Sequence, residues 1–188
     1  MSENRNSARK IADAGEVVDF WQQAGWDKWF TKDEAFDRVF REKFLDTHMA
    51  AAARQCDSWA EKPEGSLALM ILLDQFPRNT FRGTGHMYAT DPLARHFARR
   101  AIAAGQPEAV AEELRLFFYL PFTHSEDLTD QDFAVELNTV LAGPGLKYAE
   151  HHREIIREYG RFPHRNRILG RETTAKEAKF LEDGGFSG

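Results

Sequence analysis

Only one cysteine, Cys56, occurs in the 188 residues. An intramolecular disulfide is therefore impossible, and thiolate zinc clusters lack the ligands they need. Long apolar runs are absent too: Leu67–Leu73 and Leu116–Phe122 fall far short of the ~20 residues that span a bilayer, so no membrane partner is expected. The first residues, Met1 to Ser7, are polar with no apolar stretch behind them, which does not fit a signal peptide. A cytoplasmic protein is the natural expectation. Strand-like alternation of apolar and polar residues appears nowhere, and glycine-rich phosphate loops, dinucleotide fingerprints and the His-Glu-x-x-His zinc pattern are missing. Positive charge is in deficit. With a net charge of −5 and a pI near 5.8, a general binder of nucleic acid is not expected, because affinity for polyphosphate comes mainly from neutralising charge.

What is present is amphipathic helix. Phe36, Phe40 and Phe44 recur at helical spacing, as do Val110, Leu114 and Phe117, then Phe133, Leu137 and Leu141, and finally Tyr148, His152, Ile155 and Tyr159. Thr31 with Glu34 and Thr174 with Glu177 have capping-box spacing, and Asp91 before Pro92 marks a further start. Gly105, Gly143 and Gly160 stand where a left-handed residue closes a helix. These signals predict an all-α protein with about eight helices, at 11–23, 33–60, 65–76, 92–104, 107–119, 130–142, 146–159 and 175–183. No Ser/Gly linker divides them, so residues 1–188 read as one domain with polar tails at 1–10 and 184–188. Trp21, Trp26, Trp29 and Phe30 cluster at the first helix connection and are expected to plug the gap between helices.

Three polar motifs stand where helices should end. In the first, Asp74, Gln75, Arg78 and Asn79 follow a very apolar helix, which Pro77 is expected to stop near Phe76. An acid beside so apolar a helix needs a partner, and an arginine elsewhere in the chain is the expected one. In the second, Pro121 is expected to end a helix, after which His124 and Glu126 form a candidate proton-transfer pair. Ser125 lacks the strand and glycine-flanked elbow of a nucleophilic serine and reads as a cap. The third motif runs from Arg161 to Arg171, with four arginines and no acid. Guanidinium groups so crowded repel one another unless acids, helix C-termini or a bound anion surround them. The expectation is one shared polar site: Asp74, Arg78, His124, Glu126, Arg161, His164, Arg165, Asn166 and Arg171 as ligand-binding residues, with His124, Glu126 and His164 as catalytic candidates. His151, His152 and Glu154 suggest metal ligands, but only His151 and Glu154 share a helical face, so neither a metal nor another cofactor is expected.

The stretches Val17–Trp21, Lys28–Phe30, Leu72–Asn79, Phe81–Gly83, Ala89–Asp91, Tyr119–Phe122 with His124–Asp127, and Arg161–Asn166 with Leu169–Arg171 resemble a bacterial family known as domain of unknown function 924. The resemblance runs from about Glu16 to Leu181 and implies antiparallel helix pairs in a tetratricopeptide-like right-handed array. It implies no reaction. Gln22 departs from the pattern, since an aromatic residue is expected after the Asp-Phe-Trp sequence. From the residues themselves, the favoured expectation is binding of a small anionic ligand or an acidic peptide end. The alternatives are a metal-independent hydrolase or transferase with a histidine acid–base, and a helical scaffold for a protein partner.

Overall fold

A computed structural model of the chain describes residues 11–141 and 145–186, and no strand occurs among them. The protein is all-α. Its helices are α1 (Ala14–Ala24), α2 (Trp26–Trp29), α3 (Glu34–Ala52), α4 (Pro63–Met70), α5 (Phe76–Thr80), α6 (Asp91–Ala103), α7 (Leu116–Thr123), α8 (Leu128–Leu141), α9 (Gly145–Tyr159) and α10 (Ala175–Glu182), with short 3₁₀ turns between several of them. Among the described residues, no helix is long and apolar enough to cross a membrane.

Helix α4 lies at the centre. Gly65 to Met70 are all buried, as expected of a helix surrounded on every side, and α1, α6 and α7 pack against it. Gly65 is required there, because a Cβ would stand 2.2 Å from the Trp59 carbonyl oxygen. Around this helix the fully buried rings of Trp21, Phe40, Phe44, Phe76, Phe97, Phe117, Phe118 and Phe122 form the main core. A smaller core of Ile155, Ile156 and Phe162, with Tyr159, Phe180 and Phe186 against it, joins α9 to the C-terminal segment. Successive helices α7, α8 and α9 lie side by side, whereas α1 packs on α4 across the intervening chain.

The sequence signals for helix ends meet mixed outcomes. The capping box of Thr174 and Glu177 is formed, and Gly105 and Gly160 adopt left-handed conformations after α6 and α9. Gly143 and residue 142 lie outside the described residues. At α3 the cap is Asp33, which accepts from the Ala35 and Phe36 amides, and not Thr31. Nor does that helix reach residue 60: Arg54 takes a left-handed conformation, and the Gln55 amide turns back to the Ala50 carbonyl. The helix expected at 107–119 is two 3₁₀ turns followed by α7. Neither Pro77 nor Pro121 ends a helix, since both lie within helical chain.

Pro77 is tolerated because the helix widens ahead of it. Ile71–Gln75 form a π turn, in which the Phe76 amide donates to Ile71, five residues back. That slip takes from the Leu72 carbonyl its usual donor, and proline, having no N–H, takes the same from Leu73. Side chains replace both donors. His48 Nδ1 donates to the Leu72 oxygen at 2.9 Å, and Thr90 Oγ1 donates to the Leu73 oxygen at 2.6 Å. The π turn also carries Asp74 into the interior, where it is wholly buried.

Candidate functional site

The three polar motifs are joined by direct hydrogen bonds. His124, at the C-terminal end of α7, directs Nδ1 at both Asp74 carboxylate oxygens, at 2.8 and 3.0 Å. Arg78, one turn after Asp74, approaches the same carboxylate at 3.0 Å and donates to the Asp74 carbonyl at 2.8 Å. Its two terminal nitrogens then clamp Asp91 at 2.8 and 3.0 Å. Glu126, two residues beyond His124, accepts from the Phe162 amide at 2.8 Å and from both terminal nitrogens of Arg171, at 2.6 and 3.0 Å. Arg171 also donates through Nε to Asn166 Oδ1 at 3.0 Å. Arg161 stands apart, paired with Glu177 at 2.6 Å and bonded to the Glu172 carbonyl.

Arg165 is the least satisfied of the group. It is buried between the Tyr88 and Phe162 rings, at 4.5 and 4.4 Å from their centroids, while its nearest carboxylate oxygen, on Asp91, lies 3.8 Å away and its Nε has no partner. Burial, and then the nearby Arg78 charge, lower its pKa to about 10. It stays charged at neutral pH. Two carboxylates, Asp74 and Asp91, therefore face two guanidinium groups, Arg78 and Arg165, and the cluster is neutral without an external anion. His164 Nδ1 is buried without a partner, and burial lowers the pKa of this ring to about 4.

Asp74 and His124 act on each other. Burial raises the Asp74 pKa, but the opposing charge of Arg78 and the hydrogen bond from His124 outweigh it, so the carboxylate stays ionised. Burial and then Arg78 lower the pKa of His124, and Asp74 resists only in part, so the ring is neutral near pH 7. A carboxylate can only accept. Nδ1 therefore carries the proton, and Nε2 is left as a lone pair with no partner among the described residues.

His124 belongs to the wall of a cleft of about 680 Å³. Leu116, Leu120 and Thr123 of α7, Asn138 and Leu141 of α8, Gly145, Tyr148 and His152 of α9, and Phe186 complete most of the lining, with Trp26, Phe30, Glu112 and Glu113 also contributing. The wall is mainly apolar. Trp26, Phe30 and Tyr148 remain well exposed, so only Trp21 and Trp29 of the first aromatic cluster plug the fold as expected. His152 repeats the arrangement of His124: Nδ1 meets the Tyr148 carbonyl at 2.7 Å, which must accept, so Nε2 keeps its lone pair. Burial lowers its pKa to about 3.

The model of a bacterial protein family of unknown function, DUF924, matches residues 17–185. The chain belongs to that family. A solved protein of unknown function from Agrobacterium tumefaciens is 60% identical and superposes with a TM-score of 0.89, covering 91% of this chain and 97% of its own. No curated protein matches. Neither relative's description names a reaction or a ligand.

Within this member of the family, the geometry brings together Asp74, Arg78, His124, Glu126, His164, Arg165, Asn166 and Arg171 around Phe162 and Asp91, and leaves Arg161 on the α10 side. Ser125 is structural but is not the cap expected from sequence: its buried hydroxyl donates to Asp130 at 2.7 Å and accepts from the Asp127 amide, and Asp127 itself caps α8 by accepting from the Thr129 and Asp130 amides. Among the described residues, no group of three or more histidine, cysteine or acidic side chains is placed to hold a metal. Sequence reasoning passed over Asp91, Tyr88, Asn138 and His152 as site residues. For Asp91 a signal existed: the Asp-Pro pair that starts α6 also offers a carboxylate, and Arg78 needed one.

Proposed function

We propose that the chain binds a small molecule with an apolar body in the 680 Å³ cleft and holds that molecule's polar head at His124. The observation that carries this reading is the Asp74–His124 hydrogen bond beside a mainly apolar wall. A fully buried aspartate holding a histidine in one tautomer keeps an unpartnered ring nitrogen available to a guest, and the cleft has the volume usual for small ligands. The arginines support the site from behind. Arg78, Arg161 and Arg171 are each engaged by a carboxylate within the chain, which favours this cleft over a site of bare guanidinium groups for the ligand.

The test is calorimetric titration with 4-phenylbutan-1-ol, a neutral probe with an aromatic body and a hydroxyl head. Saturable binding that weakens on His124→Ala, with the variant still folded by circular dichroism, supports the reading. Equal binding by His124→Ala, or no binding by the wild type of this alcohol or of its amine and carboxylate analogues, overturns it.

A second reading, metal-independent acid–base catalysis, is favoured by the same pair. A carboxylate that fixes the imidazole tautomer also stabilises the imidazolium formed when Nε2 takes a proton. Hydrolysis of 4-nitrophenyl butanoate that disappears in His124→Ala supports it, and no turnover above buffer opposes it.

A further inference from the structure

The histidines and acids lining the cleft face it as hydrogen-bond acceptors, beside the side-chain donors carried by Thr123, Trp26 and Tyr148. His124 and His152 each use Nδ1–H on an internal oxygen, at 2.8 and 2.7 Å, which leaves Nε2 as a lone pair. Asn138 donates its amide nitrogen to the Ala134 carbonyl at 2.8 Å, and its Oδ1 has no partner among the described residues. His152 and Asn138 are more than nine-tenths buried and belong to the cleft wall. Glu112 and Glu113 add two carboxylates to the lining, and Gln22 binds one oxygen of Glu113 at 3.3 Å. Among the described residues, no lysine or arginine lines the cleft, and the guanidinium groups of Arg78 and Arg165 behind His124 face Asp74 and Asp91. Trp26, Phe30 and Tyr148 supply exposed aromatic rings, whose faces are negative.

Histidine nitrogens with no internal donor among the described residues, carboxylates with no lysine or arginine beside them in the lining, and open aromatic faces together favour a cation that donates hydrogen bonds. We infer that the cleft takes an organic ammonium ion, an amine with an apolar body whose N–H groups meet His124, His152 and Asn138 and whose charge is favoured by Glu112, Glu113 and the rings around them. The inference rests on the cleft being the binding site and assigns its ligand class. It departs from the anionic ligand that the arginine-rich motif suggests from sequence. The reason is geometric: those arginines are turned toward internal acids, whereas the cleft presents the opposite electrostatic character. Ammonium groups are attracted to aromatic faces and to carboxylates alike, and both attractions vanish or reverse for a carboxylate ligand.

Three probes of the same length separate the possibilities: 4-phenylbutan-1-amine, 4-phenylbutan-1-ol and 4-phenylbutanoate, titrated into the full chain at pH 7.5 and fixed salt. The amine is expected to bind about tenfold more tightly than the alcohol, and the carboxylate more weakly than either. Replacing Glu112→Gln and Glu113→Gln together should bring the amine down toward the alcohol while leaving the alcohol unchanged. These glutamates are exposed, so the double variant is expected to fold. If the alcohol binds and the amine binds no better, or the carboxylate binds best, the ammonium assignment is wrong and the cleft reading stands. If none of the three binds, the cleft reading fails as well.

Discussion

Asp74 and His124 are fifty residues apart in the chain and 2.8 Å apart in space. The π turn that buries Asp74 and the end of α7 that presents His124 meet at this bond. Because the aspartate also neutralises Arg78, it serves two partners at once. Asp74→Ala should therefore cost roughly 3–5 kcal/mol, the range for stranding a buried charge. His124→Ala leaves Asp74 with Arg78 and Gln75 and should cost only about 1 kcal/mol. Urea unfolding of the two variants measures the difference, and equal losses would show that the aspartate does not support Arg78 independently.

Arg171 offers a separate measure of the network. It binds Glu126 with both terminal nitrogens, Asn166 with Nε and the Phe162 carbonyl at 3.1 Å, so it ties the loop before α10 to the segment after α7. Both charged side chains keep some solvent contact, which lowers the penalty from that of a sealed pair. Arg171→Ala is expected to lose about 1–3 kcal/mol. Binding of 4-phenylbutan-1-ol at saturating protein stability should be unaffected, because Arg171 does not line the cleft.

How much of this was legible in the sequence varies with the kind of signal. Helical periodicity identified the all-α class because burial repeats along a helix whatever its neighbours are. The three motifs were visible because polar groups interrupt apolar helices there. Their pairings were not, since Arg78 finds its bidentate partner in Asp91 and Glu126 finds Arg171 only once the chain has folded. The stop expected at Pro77 did not occur, because its cost depends on whether the carbonyls it orphans have other donors. Those donors, His48 and Thr90, lie 24 and 17 residues from the carbonyls they bind. The cleft left no local pattern at all: its lining comes from α2 and Phe30, the turn before α7, helices α7, α8 and α9, and Phe186, and its polar character depends on which nitrogen of each histidine is already engaged.

Acid should weaken the fold before its carboxylates titrate. Burial holds His48 and His164 down to about 4 and His152 down to about 3, so all three are neutral in the folded protein at pH 7. The same rings in the unfolded chain take up protons near ~6.5. As pH falls from ~6.5 to ~4 the unfolded state therefore binds more protons, and stability declines; it is fully present above the unfolded value and lost as pH passes the folded ones. His48, with no exposed surface, accounts by itself for about 3 kcal/mol. Urea midpoints should drop between pH 7 and pH 4.5 without a change of fold at the start of the series. Constant midpoints over that range would contradict neutral burial of these rings.

The π turn makes a prediction about coupling that does not depend on any ligand. Thr90 donates to the Leu73 carbonyl because Pro77, four residues after Leu73, has no N–H to offer. Thr90→Val keeps the shape and removes the donor, leaving a buried carbonyl unsatisfied at a cost of about 1–3 kcal/mol. Pro77→Ala restores an amide at the position from which an α-helix would donate to that same oxygen. In the Pro77→Ala background the cost of Thr90→Val should therefore shrink by about 1 kcal/mol or more, a coupling well above the error of a double-mutant cycle. Simple additivity of the two substitutions would mean that the proline is not what makes the Thr90 hydroxyl necessary.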